Sequence, residues 1–564
     1  MKNKCLGEKY KSLFAVLLAV FSILAVWYKT GIFFGTNDDR VITEMLAGTV
    51  VQTPDSHVKI INWLLAVVLC RLYSITTAIP WYGLCLILFH AVSWFAIHDS
   101  ILSCCGNKPE IAAGIALGCG SFLINLYSTG LIQFTSTAAL LAIAGYVSLC
   151  LRQDRTALRL FGFLELLSFL LRSDAMLMIQ PLGSIVFLGL FWADGGFKRE
   201  DRQRMLASWC ALMVAVLAVG KLGNLLGYHG LQWRQYDQFN QARIEMFDFY
   251  GTPEYEDVKD ILDRYGVSEL EYEAYRAYVM LDGDISPDCA VELAAYAKEN
   301  NGSKPGMITV LRQTFDARLY RDSLCGGGAM MLLWIILTIW AILSGQFRLI
   351  LPLLGLGIAR TGVWGYIIYK DRILPRVSYP LIFCESMLLL IIFVKSYERI
   401  RKDWKIIGMA ICLSCAFLVQ GYREGQSQYR YIRSENEGQA IYIEGLREIR
   451  NYCMQYPDRH FFLENGSFSF YKGSALETDI YQPGNGMYTG GWNANTPMLR
   501  EYFQTYTGGS WDDVYLIVYD DGKPVETQAI YAVVVYFAEK SGKAPTLTDR
   551  IAASHGGAYL VWHF

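Results

Sequence analysis

LFAVLLAVFSILAVWYKTGIFFGTNDDR, residues Leu13 to Arg40, carries an apolar run straight into two adjacent carboxylates and a guanidinium. About 20 apolar residues suffice to cross a bilayer as a helix. Asp38, Asp39 and Arg40 are costly to bury in hydrocarbon, so the sequence places them at the water interface or in a polar cavity facing it. That is where a membrane enzyme keeps a base. Lys2, Lys4, Lys9 and Lys11 precede the run and no small-residue cleavage site follows it, which predicts an uncleaved first helix with its N-terminus inside.

Composition points the same way. Of 564 residues 53% are hydrophobic and 18% charged, and the apolar residues fall in blocks of spanning length, the pattern of a polytopic α-helical membrane protein. The net charge of -2 carries no nucleic-acid signal, because the division of Lys and Arg between loops outweighs their sum in such a chain. Most of the 14 cysteines lie inside apolar blocks. Cys412 and Cys415 form a CxxC spacing within a span, with no second pair or nearby His, and read as small core residues. Cys289 and Cys453 fall in soluble segments, free or paired.

Outward from the first span, residues 35–80 form an outer loop. Within it Val58 to Tyr73 reads as an amphipathic helix on the outer surface, since Lys59 and Arg71 interrupt it and Pro80 follows. Further spans are predicted at about Trp81–Leu102, Ile111–Tyr127, Phe134–Leu151 and Leu160–Leu171, a sixth ends at the basic loop Phe197 to Arg204, and a seventh runs over Met205–Leu226. The remainder lie at about Gly327–Leu343, Leu349–Ile368, Val377–Val394 and Ile406–Gln420. About eleven spans place the basic loops, such as Arg152 to Arg159 and Lys395 to Lys405, on the cytoplasmic side and the C-terminus outside.

The chain thus divides into an N-terminal transmembrane module (1–226), a mostly helical extracytoplasmic insertion (227–322), a second transmembrane module (323–420) and a soluble extracytoplasmic α/β domain (421–564). The insertion has helical stretches at Pro253–Tyr265 and Ser268–Leu281 but too little apolar material for a large core of its own. In the last domain a helix is expected over Glu437–Tyr456, strands over His460–Leu463, Val514–Tyr519 and Ala558–His563, and helices over Pro497–Tyr506 and Tyr531–Ser541. Gly484-Asn485-Gly486 and Gly490-Gly491 mark turns and match neither a Walker loop nor a dinucleotide fingerprint.

One span, an acidic pair at its outer end, a surface helix, many further spans and a soluble C-terminal domain together resemble the GT-C superfamily of membrane glycosyltransferases. More closely, the chain resembles uncharacterised GT-C-like proteins of bacterial surface-polysaccharide loci, in which Asn-Asp-Asp precedes Thr-Pro-Asp-x-His. Here these are Asn37, Asp38, Asp39 and Thr53-Pro54-Asp55-Ser56-His57. The resemblance implies a bacterial plasma-membrane enzyme moving a sugar, with inversion, from a polyprenyl-phosphate donor to a hydroxyl of a glycan, lipid or protein on the outer side. Asp38 or Asp39 would be its general base, since a carboxylate near the dielectric boundary and beside another carboxylate has a raised pKa. The other Asp would hold the first in place or help to bind a divalent ion, magnesium or manganese; no other cofactor is implied.

Arg172, Arg372 and Arg376 lie on the outer side by this topology and suit the leaving phosphate. Arg40, His57, Asp174 and Arg243 complete the candidate substrate-binding set. Each has a plainer reading: Asp38 to Arg40 as a solvated helix end, Arg172 with Asp174 as an ion pair orienting two spans, Arg372 and Arg376 as headgroup anchors, and His57 as a turn histidine. Trp233 to Tyr250, with Asn240, Arg243 and Asp248, is either an acceptor-contacting helix or a solvated face. Tyr488, Trp492, Tyr502 and Trp511 either stack on sugars or are ordinary aromatics. Two other functions stand beside the enzyme. A transporter or flippase for lipid-linked glycans needs ionisable residues through several spans, where only Glu165 and Arg360 stand out. A non-catalytic assembly subunit needs no acidic pair.

Overall fold

The computed structural model describes residues 2–50, 52–193, 199–281, 283–302, 304–316, 326–343, 347–400, 404–479, 485–522 and 530–564. Helix α1 (Lys2–Thr30) carries the first apolar run. Strand β1 (Phe33–Phe34) follows and pairs in parallel with β2 (Leu131–Ile132). The Asn-Asp-Asp cluster then opens a helix, α2 (Asn37–Ala47), rather than lying in an open loop. Two acids in its first turn complement the partial positive charge of a helix N-terminus. Gly48 ends the helix in left-handed backbone, and a Cβ there would stand 2.6 Å from Pro54 N. The Thr-Pro-Asp-Ser-His turn therefore packs directly on the helix end, with Asp55 N donating to Met45 O at 3.0 Å.

The surface helix is α3 (Trp63–Ile75), whose 13 residues span about 20 Å and are too few to cross a bilayer. Asn62 caps it by accepting from Leu64 N, so Lys59 lies before the helix and not on it. Next come α4 (Trp81–Ser103), α5 (Lys108–Ile124), the short α6 (Leu126–Gly130), α7 (Phe134–Arg152), α8 (Arg155–Ala193) and α9 (Arg199–Gly227). Helix α8 breaks at Arg172 (φ -158°, ψ 100°), and Gln180 Nε2 donates to Glu165 Oε2 at 2.9 Å across the break. Its two arms cover the segments read from the sequence as the fifth and sixth spans. Of the basic loop expected over Phe197 to Arg204, residues 197 and 198 lie outside the described residues.

The insertion comprises α10 (Leu231–Ile244), a π-helix (Glu245–Tyr250), α11 (Tyr255–Tyr265), α12 (Glu269–Arg276), α13 (Pro287–Asn301) and α14 (Met307–Thr314). It carries a compact core of its own, including Phe239, Met246, Leu262, Tyr272, Tyr275 and Leu293. Buried tyrosines supply much of the apolar volume of this small core, which also takes in Ala494 of the C-terminal domain.

Helices α15 (Gly327–Leu343), α16 (Ile350–Tyr369), α17 (Pro375–Ile400) and α18 (Trp404–Gln455) follow. Among the described residues eight helices, α1, α4, α7, α8, α9, α16, α17 and α18, are long and apolar enough to cross a membrane, and the chain is a helical membrane protein. The segments read from the sequence as the third and eighth spans form α5 and α15, of 17 residues each and shorter than those eight. The domain boundary placed at 420/421 falls inside α18, a continuous helix of 52 residues. Its glycines do not break it but let it approach α5: a Cβ at Gly421 would meet Gly120 O at 2.8 Å.

Beyond α18 the chain forms a five-stranded sheet from β3 (His460–Leu463), β4 (Gly486–Tyr488), β5 (Val514–Asp520), β6 (Thr546–Ala552) and β7 (Ala558–His563), in the order β4-β3-β5-β7-β6. The first three are parallel to one another, and β7 and β6 add antiparallel. Helices α19 (Pro497–Thr507) and α20 (Ile530–Ser541) match the expected helices. Gly486, expected in a turn, starts β4, while Gly484 lies outside the described residues. Cys289 and Cys453 are both buried and free, and Cys412 and Cys415 are free and exposed on α18.

Candidate functional site

Asp38 and Asp39 are neighbours in sequence with opposite surroundings. Asp39 is fully buried. Its Oδ1 accepts from the Tyr82 hydroxyl at 2.7 Å and from Phe134 N at 3.1 Å, and its Oδ2 accepts from Thr36 Oγ1 at 3.0 Å. It thereby ties the first turn of α2 to the starts of α4 and α7. Burial pushes its carboxyl up to about 7, against the pull of these donors. Asp38, 24% exposed, turns the other way, and its Oδ2 accepts from Arg376 Nη1 at 3.3 Å. Desolvation raises its carboxyl above the usual range, with Arg376 and then Arg172 opposing the shift.

Charged groups from four other elements gather around Asp38. Arg376 starts α17, Arg172 sits at the break in α8, Arg243 ends α10, and Asp248 lies on the π-helix; all act on Asp38 through space. Arg372, from the turn between α16 and α17, joins through Asp248, with Nη2 3.5 Å from Oδ2. Its guanidinium lies 3.9 Å above the Phe249 ring, which fixes its plane. Arg172 donates to Ile60 O at 3.2 Å and pairs with the exposed Asp174 at 3.0 Å. The structure therefore brings Asp38, Arg172, Arg243, Arg372 and Arg376 together, with Asp174 at the edge.

Arg40 and His57 do not join them. Arg40 is 2% exposed and committed to the protein. Its guanidinium pairs with Glu44 at 2.8 Å and donates to the Tyr488 hydroxyl at 2.5 Å, Tyr471 O at 2.9 Å and Phe468 O at 3.2 Å. No edge is left for a substrate, so the expected substrate-binding role gives way to that of a tie between α2 and the sheet domain. Tyr488 shares this tie and is buried, so it does not present a face to sugars. Trp511 likewise packs among Phe462, Phe503 and Phe537. His57 is held at the other end of α2, where Asp55 Oδ1 accepts from its backbone N at 2.9 Å and faces Nδ1 at 2.7 Å. Its ring stacks on Trp233 at 5.3 Å, joining the first outer loop to the insertion.

The carboxylate of Asp39 is committed to three donors within the protein. Among the described residues no three His, Cys, Asp or Glu side chains gather as a metal site.

Sequence reasoning missed Tyr82 and Glu44. Tyr82 has no local signal, whereas Glu44 lies one helical turn from Arg40. It also missed Glu385, fully buried in α17, with Oε1 2.8 Å from Arg360 Nε and accepting from Trp334 Nε1 at 2.6 Å. No family model matches the sequence, and no curated protein matches it.

Proposed function

We propose that this protein is a membrane glycosyltransferase that moves a sugar from a polyprenyl-phosphate donor to a hydroxyl acceptor on the outer face of a bacterial plasma membrane. The observation that carries the reading is the division of labour between the two aspartates. Asp38 is open enough to meet a substrate and has the raised basicity of a general base, whereas Asp39 is locked in place behind it. In this reading Asp38 takes the proton of the acceptor hydroxyl as that oxygen attacks the anomeric carbon, and Arg376, Arg172 and Arg372 face the departing phosphate. The topology has about eleven spans, the N-terminus inside, and the insertion and C-terminal sheet domain outside.

The test is sugar transfer in membranes from a panel of radiolabelled polyprenyl-phosphate sugars, with wild type, Asp38→Asn and Asp39→Asn at matched expression. Transfer lost in Asp38→Asn supports the reading; transfer retained there removes Asp38 as base. A second reading, a transporter of lipid-linked glycans, is favoured by the Arg360–Glu385 pair and Glu165 inside the bundle. It predicts movement of a labelled lipid-linked glycan across vesicles without any transfer.

A further inference from the structure

Among the cations around Asp38, Arg243 stands apart. Arg376 faces Asp38, Arg372 faces Asp248 and Arg172 faces Asp174. Arg243 makes no close ion pair with a carboxylate among the described residues, although Asp38 lies within its electrostatic reach. It is 7% exposed, its Nε donates to Asn240 Oδ1 at 3.0 Å, and its two terminal nitrogens have no acceptor among the described residues. Tyr236, Tyr275 and Tyr278 lie within its electrostatic reach on one side and Asp38 on the other.

The terminal nitrogens of Arg243 take no acceptor from the described residues, and a planar guanidinium fork is shaped for two oxygens of one group. Among the described residues four guanidiniums stand against three carboxylates, Asp38, Asp174 and Asp248. Arg243 also sits on the insertion, at the end of α10, and not on a span end like Arg376.

We infer that Arg243 is the receptor for a single oxyanion, a carboxylate or a phosphate, on the substrate handled at Asp38. The inference rests on the transfer reading above for its setting but not for its test. The anion is carried either by an acidic acceptor or by the phosphodiester of the donor, and both present two oxygens to the same fork.

The test is binding without turnover. Full-length protein in nanodiscs is titrated with a short-chain polyprenyl phosphate, with methyl glucuronoside, and with methyl glucoside as the neutral control, reading thermal stabilisation. Wild type is expected to respond to at least one anionic probe and not to the control. Arg243→Met is expected to weaken that response about ten-fold or more, and Arg243→Lys, which keeps the charge without the fork, to retain part of it. Loss confined to the polyprenyl phosphate assigns the anion to the donor; loss confined to the glucuronoside assigns it to the acceptor. Equal binding by wild type and both variants, or no response of folded wild type to either anion, overturns the inference. Arg243-dependent binding in a protein that transfers no sugar would leave the anion site standing and the transferase reading without support.

Discussion

Arg376 Nη1, in the first turn of α17, stands 3.3 Å from Asp38 Oδ2, in the first turn of α2. One contact thus joins α2 to a helix more than three hundred residues later, and it falls on the open carboxylate of the pair. A mobile donor phosphate would compete with Asp38 for that guanidinium and free the carboxylate for the acceptor.

Asp38→Asn is therefore expected to lower transfer by about 10²-fold or more, the range for loss of a general base. Asp39→Asn is expected to keep transfer within about ten-fold, because an amide can still accept from Tyr82 and Phe134 and can donate to Thr36. Rates at matched, inserted protein decide the matter, and the reverse order would make Asp39 the base.

Removing the Arg376 guanidinium should act on the donor. Arg376→Met is expected to raise KM for the polyprenyl-phosphate sugar about ten-fold or more while leaving KM for the acceptor little changed. Steady-state kinetics with each substrate varied in turn separates the two, and an effect on the acceptor alone would reassign this residue.

The pH dependence of transfer should report Asp38. Its carboxyl lies above the usual range, so kcat/KM is expected to rise with pH through a midpoint above that of an ordinary aspartate. The limb should vanish in the residual activity of Asp38→Asn. A midpoint near 4, the ordinary carboxylate value, would contradict the buried setting described here.

Stability should show the opposite trend through Asp39. Its pKa rises from 3.8 to about 7 on folding, so the folded state holds the proton more tightly. The stability this contributes is full below 3.8 and lost as pH rises through about 7, amounting to at most about 4 kcal/mol. Thermal unfolding of wild type should fall more steeply over that window than that of Asp39→Asn. Equal slopes would mean that the three donors keep Asp39 ionised throughout.

Arg40→Met is expected to cost about 3–5 kcal/mol, since it strands Glu44 without its cation in a fully buried position. Adding Glu44→Gln should recover part of the loss. Melting temperatures of the single and double variants check this, and a surface-like effect below about 0.5 kcal/mol would refute the tie.

Much of this arrangement was legible in the sequence. The alternation of apolar and basic segments put Arg172, Arg372 and Arg376 on the same side as the acidic pair, and the three meet beside Asp38. The turn Thr53 to His57 also belongs with Asn-Asp-Asp, for a packing reason: it seats against Gly48 at the end of the same helix. The choice between Asp38 and Asp39 was not legible, because it depends on Tyr82 and Phe134 N, brought in by two other helices. Arg40 shows the limit most clearly. Its partners Tyr471, Phe468 and Tyr488 lie more than four hundred residues away, and no local pattern announces them. Strand β6 was missed because its residues, apart from Ile551, face solvent and it lacks a buried side to betray it.

Helix α18 is about 78 Å long, and only some 30 Å of that is needed to cross a bilayer. Along the rest it is riveted to its surroundings: Gln428 donates to Ile124 O, Asn436 to Thr30 O, Gln439 to Phe470 O, and Asn485 to Cys453 O. Mechanically it is a mast, with the sheet domain stayed to the C-terminal ends of α1 and α5. The sheet cannot tilt away without dragging α1 and α5 with it, so it stands as a fixed cap on the helix bundle.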